Sequence, residues 1–152
     1  IALGMGVMLT KMWLPFGLAL TSAGVAWIHR DRPLSALPWL AVGLAALSAS
    51  GLYFNAPFPS EVIGTTPFFN RLILIAGLPA VALLAGGEWL RRAGAQFTSS
   101  LQTTIGLALL ALFVSLQLRH FITGGDIASP YFDLADMAAQ SIAALGFSIE
   151  LQ

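Results

Sequence analysis

Residues 34–54 read LSALPWLAVGLAALSASGLYF, an apolar run without a charged side chain, opened by Arg32-Pro33 and closed by Asn55-Ala56-Pro57-Phe58-Pro59. A bilayer core of about 30 Å is crossed by roughly 20 apolar residues in a helix. The closing prolines cannot continue one, because each lacks a backbone donor and restricts the residue before it. The run therefore predicts a transmembrane helix, and comparable runs lie on both sides of it.

Upstream, Ile1 to about Leu9 reads as a truncated span. Thr10, Lys11 and Pro15 mark a turn, and a second span runs from about Trp13 to Ile28. The competing reading is one helix from Ile1 to Ile28, with Lys11 buried and Pro15 as a kink; a lysine at mid-bilayer weighs against it. Downstream, Asn55 to Phe69 is a loop with prolines and interfacial phenylalanines, since aromatic rings favour the headgroup level. A fourth span follows from about Phe68 to Leu90, kinked at Pro79, and a fifth from about Leu101 to Phe121. After Thr123-Gly124-Gly125 a sixth begins near Asp133 and passes Glu150. The fold class expected is all-α: a polytopic transmembrane bundle of about five full spans plus a truncated first one. Because the chain opens on Ile1 and closes at Gln152 within apolar sequence, residues 1–152 read as one multi-span region excerpted from a longer protein.

Composition agrees. Hydrophobic residues make up 57% of the 152 and charged residues 9%, with a mean hydropathy of +0.83, whereas soluble domains are typically about a quarter charged. Seven basic and seven acidic side chains cancel, which leaves no basic field for nucleic acid. The expected partners are the lipid bilayer and neighbouring transmembrane helices, including those of the parent chain. There is no cysteine, and His29 and His120 are far apart. No metal site is therefore supported, and no cofactor is implied.

The charges fall between the runs. Cytoplasmic loops of membrane proteins carry the excess of Lys and Arg. Placing Arg30 and Arg32 inside makes 29–33 and 91–100 cytoplasmic, with Arg91 and Arg92 on the same side. It makes 55–69 and 122–132 extracytoplasmic. Glu88 precedes Arg91 and Arg92 by three and four residues, the spacing of local ion pairs. His29, beside Arg30 and Asp31, reads as part of a solvated turn. Ala41, Ala45 and Ala49, with Ser48 nearby, form a small-residue face of the kind on which helices approach closely in lipid.

The remaining polar residues collect near the extracytoplasmic face, and five of them form the candidate ligand site: Arg71, Arg119, His120, Asp133 and Asp136. Asp133, Asp136 and Gln140 share a helix face. Carboxylates in a first helical turn, and Arg119 and His120 in a last one, also suit the helix dipole. Arg71 at a helix start opposes that dipole and calls for an anion. His120 could carry a proton near neutrality. No nucleophile accompanies it, so no catalytic residue is assigned. Gln140, deeper in its span, reads as an interhelical hydrogen-bond former.

Gly64-Thr65-Thr66-Pro67-Phe68-Phe69-Asn70 leading to Gly77-Leu78-Pro79-Ala80, then Leu118-Arg119-His120-Phe121-Ile122-Thr123-Gly124-Gly125 and an acidic helix start, resembles a family of bacterial membrane proteins, domain of unknown function 2339. The likeness spans roughly Trp13 to Glu150. The chain departs from the family pattern at Ala76, where an aromatic is common, at Asp136, where glutamate is common, and in lacking a tryptophan in its last span. The resemblance implies a multi-pass bacterial inner-membrane protein and assigns no reaction. The functional expectation is a membrane scaffold or transport-related subunit. The alternative is a membrane-embedded transferase for a lipid-linked or cell-envelope substrate, with His120 as base.

Overall fold

A computed structural model describes residues 2–54, 71–123 and 134–150, with side chains for 13–52, 71–123 and 137–146. The described chain is helical, and no strand occurs among these residues. Five α-helices follow in order: α1 Ala2–Asp31, α2 Leu37–Phe54, α3 Leu78–Arg92, α4 Gln96–Ile122 and α5 Leu134–Glu150. A π-helical turn, Ile73–Gly77, leads directly into α3.

The first two expected spans are a single helix, which corrects the predicted break at Thr10 to Pro15 and absorbs the truncated first span into the second. α1 runs through Pro15. The proline is buried and packs on α2, where its ring meets the bare face of Gly51; a Cβ there would lie 3.2 Å from Pro15 Cγ. The Ser48 hydroxyl donates to the Pro15 carbonyl at 2.6 Å, and the Ser22 hydroxyl donates to the Ala41 carbonyl at 2.7 Å. Two buried hydroxyls thus tie α1 and α2 at two levels about two turns apart. Ala41 and Ala45 are fully buried, so the small-residue face of α2 lies against its neighbours as its spacing suggested. Ser48→Ala should cost about 0.6 kcal/mol, the average for a hydrogen bond between membrane helices. Unfolding in detergent, compared with Ser50→Ala, measures this, because Ser50 bonds only to Leu47 within its own helix.

Helix ends are set locally. Pro33 follows α1, and the chain turns through Leu34 N–H to Arg32 carbonyl and Leu37 N–H to Leu34 carbonyl bonds. α3 ends on Gly94, whose φ of +83° lies in the left-handed region that favours glycine. Gly94 N–H bonds the Arg91 carbonyl and Ala95 N–H bonds the Leu90 carbonyl. Together these satisfy the last carbonyls of the helix as a Schellman motif, and the Ala95 methyl packs beside Leu90. The expected disturbance at Pro79 is taken up just before it. Leu78 N–H reaches back to the Ile73 carbonyl in a π turn, and the proline, which has no N–H to give, sits in the first turn of α3.

The helices pair as two antiparallel hairpins, α1 with α2 and α3 with α4, packed through α1 on α3 and α2 on α4. α5 lies along α4 and has no comparable contact with the other helices. The main core joins Ala19, Ala45, Leu72, Ile75, Ala80, Leu83 and Leu109. Ala26, Ala41 and Leu90 form a second cluster toward the turns.

Two stretches among the described residues are long and apolar enough to cross a membrane: Ile73–Arg92 and Gln96–Ile122. Leu37–Leu52 and Met137–Gly146 are shorter apolar helices. Among the described residues, two of the five full spans expected from the sequence thus meet the length and composition of a membrane-crossing helix.

Candidate functional site

The polar groups occupy three levels of the bundle. At the level of the two short turns lie Arg30, Asp31, Arg32, Glu88, Arg91 and Arg92. Glu88 accepts from Arg91 Nε at 2.7 Å, Arg91 Nη2 at 2.8 Å and Arg92 Nε at 2.7 Å, the pairing its spacing predicted. Arg30 Nε lies 3.2 Å from Asp31 Oδ1. Rings gather at the same level, Trp27 against Trp89 with centroids 6.4 Å apart and Trp39 against Phe97 at 5.9 Å. His29 departs from expectation. It stands in the last turn of α1, 6% exposed, rather than in a solvated turn, because it continues the Ser22 and Ala26 stripe that faces the bundle interior. Its Nδ1 has no hydrogen-bond partner.

The middle level was not anticipated. Gln102 of α4 is fully buried where α1, α3 and α4 meet. Its Nε2 donates to the Leu83 carbonyl at 3.4 Å and its Oε1 is unpartnered. Gly86 makes room for it: a Cβ on Gly86 would overlap Gln102 Nε2 and stand 3.2 Å from Ala23 Cα. One turn away, the Ser99 hydroxyl donates to the Gly87 carbonyl at 2.8 Å, and a Cβ on Gly87 would overlap Thr103 Oγ1. Gly106 repeats the pattern against Leu84, with a Cβ 3.2 Å from the Leu84 backbone nitrogen. The signal was present in the sequence as Gly86-Gly87 facing a run of Ser99, Gln102, Thr103 and Gly106. It becomes legible only once α3 and α4 are paired.

The far level holds the residues singled out from the sequence. Arg71 is exposed just before the π turn, His120 is 2% exposed and Arg119 is half-buried near the end of α4. His120 and Arg119 project from different faces of α4, as their adjacency on a helix requires. Asp133 and the side chain of Asp136 lie outside the described residues. Gln117 shares its helix face with Phe113 and Phe121 along an apolar groove of about 310 Å³. Gln140 fulfils its expected role. It accepts from the Ser115 hydroxyl and donates to the Ser115 carbonyl at 3.0 Å, joining α5 to α4. Among the described residues, no three His, Asp or Glu side chains group as metal ligands.

No protein-family model matches this chain, and no curated protein and no solved structure matches it. The functional reading therefore rests on its own residues.

Proposed function

We propose that the chain is a membrane-embedded helical bundle of a bacterial inner membrane, acting as a scaffold or transport-related subunit. The observation that carries this reading is the apolar exterior of the bundle. The interior combines leucines such as Leu72, Leu83 and Leu90 with many small or polar residues, among them Ala19, Ala26, Ala41, Ser22, Ser48 and Gln102, while Trp13, Leu20, Trp27, Leu40, Leu47, Val81, Leu112 and Phe121 face outward. Water would expel such a surface, whereas lipid accepts it, and small residues with interhelical hydrogen bonds are how helices associate in lipid. α4 strengthens the argument. Only 17% of its apolar window is buried, unlike the core helix of a water-soluble protein. The charges flank the apolar zone: along α4 the rise from Gln96 to Arg119 is about 34 Å, close to the thickness of a bilayer core.

In this reading the Arg30, Arg32, Arg91 and Arg92 level is cytoplasmic and the Arg71, Arg119 and His120 level faces the other side. Were the protein a transporter subunit, Arg71 and Arg119 would hold an anionic group. His120, with Asp133 and Asp136, would handle a proton, and the π turn before Pro79 would supply the adjustable segment, as such turns do at functional sites. Cysteines introduced one at a time at Ala93 and Gly125 test the topology with a membrane-impermeant thiol reagent. The expected result is labelling from opposite sides of sealed vesicles. Labelling of both from the same side, or release of the protein from membranes by alkaline carbonate, defeats the proposal.

A further inference from the structure

We propose that the groove between the α1–α2 turn and the start of α4 seats the headgroup of an anionic phospholipid. This rests on the membrane reading above and goes beyond it by naming a ligand class. The groove has a volume of about 260 Å³ and is lined by Ser35, Pro38 and Trp39 on one side and by residues 95–98 on the other. Its walls differ in kind. Trp39 and Phe97 form the outer wall, their rings 5.9 Å apart and 58% and 66% exposed, which suits the glycerol and upper acyl region where aromatic side chains concentrate. Pro38 and Thr98 are buried beneath it, and Ser35 and Gln96 are exposed among its lining residues, with a hydroxyl and an amide able to donate to phosphate oxygens.

Charge complementarity selects the occupant. Asp31 is engaged by Arg30, and Glu88 is shared by Arg91 and Arg92, so the carboxylates of this level leave one arginine charge in excess there. Arg32 adds a second. It is exposed and takes part in none of these ion pairs, and the Leu34-to-Arg32 and Leu37-to-Leu34 backbone bonds wind it within one tight turn of Ser35. A headgroup with net negative charge is favoured over a zwitterionic one by roughly fivefold for each such cation near the surface.

The full chain in nanodiscs of equal phosphatidylglycerol and phosphatidylcholine, with retained lipid identified by native mass spectrometry, tests this. The expected result is several-fold preferential retention of phosphatidylglycerol. That preference should drop about fivefold in Arg32→Gln and stay unchanged in Lys11→Gln, while Phe97→Ala lowers retention of both lipids. Equal retention of the two lipids by the wild-type chain overturns the proposal, as does an unaltered preference in Arg32→Gln. Displacement of the lipid by excess inorganic phosphate would instead make this a free-phosphate site and also overturns it. A chain that does not enter nanodiscs at all refutes the membrane reading itself, an outcome separate from insertion without lipid preference.

Discussion

Gly86→Ala is expected to lower the unfolding free energy by about 1–3 kcal/mol, the usual penalty for overfilling a packed interior. Helix propensity alone predicts the opposite sign, since alanine is favoured over glycine by about 1 kcal/mol within a helix. The steric term wins because the new methyl would stand in the space of Gln102 Nε2, with Ala23 Cα 3.2 Å away on α1. Gln102 is fully buried and its hydrogen bond to the Leu83 carbonyl is already 3.4 Å long. Pushing the amide aside breaks that bond and leaves its Nε2 unsatisfied as well as its Oε1, a loss of about 1–3 kcal/mol for the one buried group that loses its partner. Two comparisons isolate the cause. Adding Gln102→Ala to Gly86→Ala should recover most of the stability, whereas Gly43→Ala, where a Cβ meets nothing within 4 Å, should be neutral or stabilising. Reversible unfolding in detergent micelles reads all three. A neutral Gly86→Ala would mean that the three helices do not converge there.

The second large effect concerns the outside. Leu47 is 57% exposed near the middle of α2. Leu47→Arg should reduce membrane insertion by the equivalent of about 2.5–3.5 kcal/mol, the insertion penalty for arginine at the centre of a span. On a surface facing water the same change would fall within about 0.5 kcal/mol of neutral. An in vitro insertion assay with microsomes or inverted vesicles discriminates them, with Leu47→Ala as the control for lost side-chain volume. Undiminished insertion of Leu47→Arg would place that face of α2 away from lipid.

Most helix positions were legible because apolar length and punctuation by charge or proline are local signals. Leu34 to Phe54 became Leu37–Phe54, and the run expected from Leu101 became Gln96–Ile122. α1 was misread because Lys11 and Pro15 are each unfavourable within a span. What offsets the proline, Gly51 and Ser48, lies on the next helix, more than thirty residues away in the chain. Gln102 and the glycines facing it were illegible for the same reason, since a glycine's role depends on which helix crosses it. His29 was misassigned because charged neighbours suggested solvent, while its burial follows from the helical register it shares with Ser22 and Ala26. His120, one of the residues expected at a site, is buried, which the sequence did not show. The acidic members Asp133 and Asp136 fall where their side chains are not described.

The π turn at Ile73–Gly77 also acts on the chain as a phase shift. A π turn holds about one residue more than an α turn, and one residue is worth about 100° of rotation about a helix axis. Arg71 and Leu72, just before the turn, are therefore rotated relative to α3. Leu72 is turned fully inward and Arg71 outward. Deleting a single residue between Ile73 and Gly77 would restore a regular helix and swing Leu72 out of the core. The length of this five-residue segment therefore constrains the protein as firmly as its composition does.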